Sequence, residues 1–259
     1  MEIAEHIAAI AGEGERLAAA AAAAGPDTPV PSCPDWVVRD LVRHQGGIHR
    51  WATGIVAGPR TEAWNVELDE VVGSWPADAG LIGWFGDGLG RLTAALSAAD
   101  HGLDCWTFLA APSPLAMWAR RQAHETSIHR VDAELAAGRP VTPFPAPFAA
   151  DGIDELLTCF ITRRGGRLRS AQEKSLRVRC ADTPRDWLVR IGPDRVVTTA
   201  SGSGAGSGTG SGTGDCQLAA NASDLYLALW NRRPTGSLTV DGDRGLLDQF
   251  RDQVQVRWS

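Results

Sequence analysis

Glu125 and His129 stand four residues apart within RRQAHETSIHRVDAE, a spacing that raises a carboxylate and an imidazole from one helix face, one turn apart. Such a pair can chelate one divalent ion. His44, in an earlier helical segment, adds a second imidazole if both segments face the same interior. Two histidines and one glutamate are a familiar catalytic zinc set, three protein ligands leaving a fourth position for water or substrate. Nickel and iron accept the same donors. One carboxylate under-compensates a dication, so the open position favours an anionic ligand.

Taken singly, each part has a plainer explanation. A Glu and a His four apart often form a solvated surface pair, and a histidine on an apolar stripe is often a hydrogen-bonded core residue. HETSIH is one residue too long for the HExxH of zinc proteases, which casts Glu125 as a ligand rather than a general base. His124 is turned about 100° from Glu125 around the helix and points elsewhere. Asp132, three residues past His129, either orients that ring from behind or sits in solvent. His49 falls off the face of His44, and His6 and His101 show no partner in the sequence.

The elements that must hold these residues read as helices. The first is expected over 2–24, with Ile3, Ile7, Ile10 and Leu17 on one side and Gly25-Pro26 ending it. In the segment 30–58, Ser32 or Asp35 is the expected cap, and Val37, Leu41, His44, Ile48, Trp51 and Ile55 form the apolar stripe. A third helix is expected over 80–99, carried by Leu81, Phe85, Leu89, Leu92 and Leu96. Ser113-Pro114 opens a fourth, which Gly138 and Pro140 stop. Four helices with these connections predict a bundle over 1–140.

The pattern then changes. A proline-rich linker is expected over 141–152, and an α+β domain over 153–259, beginning with a helix Ile153–Arg164. SLRVRC, DWLVRI and RVVTTA alternate as a β meander; CQLAANA, a helix capped by Ser223, the strand SLTVDGD and a last helix GLLDQFRDQV follow. The segment 201–214 has glycine at every even position. It lacks the GxxxxGK[ST] of a phosphate loop and reads as a flexible connection.

Composition narrows the field. Hydrophobic residues make up 44% and charged residues 22%, so a folded chain is expected. A net charge of −6 offers no basic footprint for nucleic acid or an anionic membrane. Lys174 is the sole lysine, the arginine-for-lysine bias of a GC-rich genome. Cys33, Cys105, Cys159, Cys180 and Cys216 form no CxxC pair and suit a reducing cytoplasm as free thiols. The N-terminal stretch is acidic, unlike a signal peptide, and no apolar run suits a membrane span.

CPDWVVRDLVRHQGGIHRWA, followed later by RRQAHETSIHRVDAELAAGRP, resembles the mycothiol-dependent maleylpyruvate isomerase family of actinobacteria. The tail ASDLYLALWNRRP…LTVDGD…LLDQFRDQVQVRW resembles that family's C-terminal domain. The resemblance implies a DinB-like metal-binding four-helix bundle followed by a small sterol-carrier-like α+β domain. It implies zinc on His44, Glu125 and His129, mycothiol as thiol cofactor or co-substrate, and a catalytic arginine that holds a substrate carboxylate. Arg232 is the nearest match for that arginine, with Arg233 adjacent; an ordinary helix-end arginine is the alternative. The sequence departs from the family pattern at Asp35, where glycine is common, and at Gln45-Gly46-Gly47, where leucine often follows the metal histidine.

The expectation is thus a cytoplasmic, monomeric metalloenzyme acting on a small electrophile or diacid, by S-transfer or by cis–trans isomerisation. The competing expectation is a non-catalytic carrier, a metal-stabilised bundle joined to a domain whose tryptophans, among them Trp187 and Trp230, line a cavity for a lipid or hydrophobic metabolite.

Overall fold

The structure, a computed structural model, describes residues 1–201 and 214–255. All but the ends of the glycine-rich segment 201–214 therefore lie outside the described residues. The chain divides into two compact units, Met1–Thr142 and Pro143–Ser259.

The first unit is a bundle of four long helices: α1 (Ile3–Ala24), α2 (Val38–Val56), α4 (Asp78–Ala98) and α5 (Pro114–Ala136), with a short α3 (Leu68–Val72) in the second connection. Helix α4 buries Leu81, Phe85, Leu89, Leu92 and Leu96, the stripe its sequence predicts. Ser113 caps α5, its hydroxyl accepting from the Ala116 N–H at 3.2 Å, and Pro114 occupies the first turn, where its missing N–H is harmless.

Two sequence expectations fail locally. The buried face of α1 runs through His6, Ile10, Glu13 and Leu17, whereas Ile3 and Ile7 are only half-buried. The reason is electrostatic: Arg130 of α5, fully buried, donates to Glu13 at 2.7 Å and to Glu134 at 2.6 Å, so α1 turns its carboxylate inward. Neither Ser32 nor Asp35 caps α2. The cap is Val37, whose N–H donates to Asp40 at 3.0 Å, because residues 29–37 close on themselves through a Pro29–Val37 bridge before the helix begins.

Gly46 on α2 and Gly88 on α4 have a packing reason. A Cβ on Gly46 would lie 2.3 Å from Trp84 Cζ3, and one on Gly88 would lie 2.3 Å from Arg50 Nη1. The Arg50 guanidinium stacks 3.7 Å over the Trp84 ring and donates to the Gly46 and Trp84 carbonyls, fastening α2 to α4. Gly46→Leu is expected to lower stability by about 1–3 kcal/mol through overpacking, read as a drop in thermal midpoint.

The second unit has a five-stranded sheet of order β3-β2-β1-β4-β5, from β1 (Lys174–Cys180), β2 (Asp186–Ile191), β3 (Val196–Ser201), β4 (Cys216–Ala220) and β5 (Thr239–Gly242). The first three strands form the antiparallel meander, β4 joins β1 in parallel, and β5 pairs antiparallel with β4. Alternation buries Leu176, Val178 and Cys180 on β1 and Trp187, Val189 and Ile191 on β2. Helices α7 (Ala222–Leu229) and α8 (Arg244–Gln253) pack on the sheet.

Here too the boundaries shift. Helix α6 covers Ala146–Asp154, inside the stretch expected as a linker, and continues as a π-helical segment Glu155–Phe160. Pro145 is its cap and Pro147 its second residue, positions whose N–H groups have no helical partner, so the prolines permit a start there. Asn221, not Ser223, caps α7 by accepting from Asp224 N–H at 2.8 Å; the Ser223 hydroxyl instead accepts from Phe144 N–H at 3.0 Å. Trp187 and Trp230, expected by the carrier reading to line a cavity, are buried core residues, and Trp187 Nε1 donates to Asp154.

Candidate metal centre

Helix α5 departs from an ordinary amphipathic helix. Arg121, Gln122, His124, Glu125, Thr126, Ser127, His129, Arg130, Asp132 and Glu134 are all buried. Burying polar groups is costly unless they find partners, and most of these sort into distinct networks.

One network contains the candidate ligands. His44 comes from α2, Glu125 and His129 from α5, and one donor atom of each lies within 4.8 Å of the other two. Glu125 Oε1 stands 3.5 Å from His44 Nε2 and 3.2 Å from His129 Nε2. The remaining atoms are engaged behind this focus. Arg121 Nη2 donates to Glu125 Oε2 at 3.0 Å, and His129 Nδ1 pairs with Asp132 Oδ2 at 2.9 Å. The two imidazoles meet edge to face with centroids 5.1 Å apart.

This arrangement fits a divalent cation. Each candidate ligand turns one donor to a common point; Arg121 behind Glu125 fixes the carboxylate rotamer and Asp132 behind His129 fixes the ring tautomer, as at metal-bound histidines generally. Asp132 stands behind the His129 ring, not in solvent. Arg121 was not anticipated, although its signal was present: 121, 125 and 129 share one face at i, i+4, i+8.

The protonation states follow from the same contacts. Burial disfavours the charged form of His44, and its pKa is lowered despite the facing Glu125. Burial acts on His129 in the same sense, but hydrogen bonds to Asp132 and Glu125 outweigh it and raise its pKa to about 9. Burial would raise the Glu125 pKa, yet hydrogen bonds from His129 and His44 and the Arg121 charge hold it well below the usual carboxylate range.

The other histidines stay apart. His49 is fully buried, within 2.8 Å of Gln45 and 2.9 Å of Thr126. His124 is buried with its ring 6.1 Å from that of His6, and His101 is exposed in a turn. Burial, then the nearby Arg50 charge, pushes the His49 pKa down to about 3. Between an unfolded pKa of 6.5 and this folded value, the unfolded chain binds the extra proton, so stability falls as pH drops through that window. Replacing His49 with glutamine is expected to remove a loss on the order of 4 kcal/mol between pH 6.5 and 3.5, measured by urea unfolding across pH.

Arg232 belongs to the second unit, just past α7, where its Nη1 donates to the Trp230 carbonyl at 3.0 Å. Its neighbour Arg233 is ion-paired with Asp224. Within the described residues, no helix is long and apolar enough to cross a membrane.

A helical bundle with a buried two-histidine, one-carboxylate cluster, joined in one chain to a small α+β domain, is a specific combination. Residues 7–134 match the family model of the mycothiol maleylpyruvate isomerase N-terminal domain, and residues 147–249 match that of the corresponding C-terminal domain. The chain belongs to the mycothiol maleylpyruvate isomerase family. Among solved structures it resembles a mycothiol-dependent maleylpyruvate isomerase at 13% identity, with 93% of each chain covered and a TM-score of 0.60. A histidine-to-alanine variant of such an isomerase matches at 12% identity, again with 93% of each chain covered and a TM-score of 0.60. These likenesses establish a common fold. No curated protein matches the chain by sequence.

Proposed function

We propose that the chain is a zinc-dependent enzyme that uses mycothiol as its thiol, acting either in S-transfer to a small electrophile or in cis–trans isomerisation of a maleylpyruvate-like diacid. The observation that carries this reading is the convergence of one donor atom each of His44, Glu125 and His129 within 4.8 Å, with Glu125 backed by Arg121 and His129 by Asp132. When bound, a divalent cation supplies the positive charge that keeps a thiol deprotonated at neutral pH.

The chain's own groups prepare for that charge. Glu125 stays ionised because Arg121 and the histidines favour its anion. His129 gives up the proton on Nε2 and keeps its Nδ1 toward Asp132, which retains the imidazole in the right tautomer. His44 needs no such loss, since burial keeps it neutral. Arg232 is the proposed catalytic group on the substrate side, its planar guanidinium suited to hold a carboxylate in either reaction. This reading places the enzyme in the cytoplasm as a monomer acting on a small molecule, without nucleic acid or membrane.

Metal analysis of protein purified without chelator, followed by assays with mycothiol, tests the reading. Stoichiometric zinc is expected, with either a trans diacid or a thiol conjugate as product. An Arg232→Ala variant is expected to raise KM for a carboxylate substrate. Protein that neither retains nor takes up zinc would sink the proposal.

A further inference from the structure

The metal ligands lean on a segment that precedes α2. Residues 29–37 form a closed loop: Val30 N–H donates to the Trp36 carbonyl at 2.9 Å, Cys33 N–H to Val30 at 3.0 Å, and Trp36 N–H to Cys33 at 2.9 Å. The Pro29–Val37 bridge ties its base. Three side chains of this loop reach the candidate centre, and one of them, Cys33, donates its thiol to Asp132 Oδ2 at 3.8 Å. The Trp36 ring lies 4.9 Å from the His44 ring and 6.0 Å from the His129 ring, nearly parallel to the latter at 27°. The Ser32 hydroxyl donates to Asp132 Oδ1 at 2.5 Å, while Asp132 Oδ2 takes His129 Nδ1.

An imidazole turns about its last torsion with only a broad, roughly two-fold preference, so the ring must be fixed from outside if its donor atom is to stay on target. For His129 the two constraints differ in kind. Asp132 sets the ring's direction through Nδ1, and the Trp36 face limits its tilt. For His44 the indole is the neighbouring wall, while the His129 ring closes another side. Ser32 occupies the Asp132 oxygen that His129 does not use, which stops the carboxylate from rotating away and ties the loop, and with it Trp36, to α5.

We propose that Ser32 and Trp36 are positioning residues for the metal centre: together they hold His44 and His129 in the geometry that binds a divalent cation. The inference rests on the metal reading above. Neither residue supplies a donor atom to the cluster, so both act through the ligands.

Cobalt(II) alone, titrated into the full-length metal-free chain, tests the idea through affinity and ligand-field spectrum, with no need of an activity assay. Trp36→Leu and Ser32→Ala are each expected to weaken cobalt binding about 10–100-fold and to alter the visible bands. Trp36→Phe and Ser32→Thr, which keep an aromatic face and a hydroxyl, are expected to restore most of the affinity and the original spectrum. Unfolding of the metal-free proteins is measured alongside. Variants that lose stability but bind cobalt with unchanged affinity and spectrum would overturn the proposal. Should Trp36→Leu fail to fold, the Ser32→Ala and Ser32→Thr pair decides alone. A wild-type chain that takes up no cobalt would instead overturn the metal reading, and this inference with it.

Discussion

Glu125→Gln is expected to lose metal at concentrations where the wild-type chain is fully loaded. Four-ligand zinc sites bind with about 10–16 kcal/mol, so one ligand accounts for about 3 kcal/mol, or roughly two orders of magnitude in affinity. The glutamate loss should be larger than this average, because the Glu125 carboxylate faces both imidazoles through Oε1 and is the only anion among the three candidate ligands. Glutamine is the right replacement. Its amide oxygen can still accept from the Arg121 guanidinium, 1% exposed, whereas alanine would remove that acceptor as well and so confuse affinity with folding.

A pH signature accompanies the loss. With a pKa of about 9, His129 carries an extra proton at pH 7 that the cation must displace, whereas His44 is neutral and needs only the tautomer that leaves Nε2 unprotonated. Wild-type affinity is therefore expected to rise about tenfold per pH unit up to about pH 9, with one proton released per ion. In the metal-free chain the same raised pKa stabilises the fold below pH 6.5 and stops doing so as pH climbs through 9. Removing the Glu125 charge is expected to move the break in the affinity curve to lower pH. Isothermal titration in two buffers of different ionisation enthalpy measures both the affinity and the proton.

Arg130→Ala is expected to be the most damaging single change outside the candidate centre, at about 3–5 kcal/mol. Arg130 is fully buried, bonded to Glu13 on α1, to Glu134 on its own helix and to the Thr142 carbonyl. Without it, Glu134 loses the guanidinium that faces it and Glu13 keeps only its part-exposed pair with Arg16. The contrast lies in the triple replacement Glu13→Leu, Arg130→Met, Glu134→Leu, which removes all three buried charges at once, leaves Arg16 to turn into solvent, and is expected to recover much of the loss. Urea unfolding followed by far-ultraviolet circular dichroism compares the two. Equal damage in both would mean that the network's bonds to the Thr142 segment, rather than charge balance, hold this corner.

Elements whose apolar period is clean were legible from sequence. Helix α4 has five core positions at helical spacing, and β1 and β2 alternate without exception at Leu176, Val178, Trp187 and Val189. Glu125 and His129 were legible as a pair because both lie on one helix. What escaped depends on groups far apart in the chain. The inward face of α1 is set by Glu13, whose partner is 117 residues away, and no periodicity records that. The use of Ser32 was misread for the same reason: a serine before a helix suggests a cap, but its hydroxyl serves an aspartate 100 residues on. At Pro145 and Pro147 the signal was ambiguous, since proline both ends helices and begins them.

The span of these contacts also fixes when the centre can form. His44 and Glu125 are separated by 81 residues, and Ser32 and Asp132 by 100. Pairings that close such long loops come late in folding, because chain entropy must be surrendered before they are made. Helix α5 can assemble Arg121, Glu125, His129 and Asp132 locally, yet the second imidazole and its indole wall arrive only when the first third of the chain docks. Metal capture during refolding would therefore time the completion of the bundle rather than the appearance of its helices.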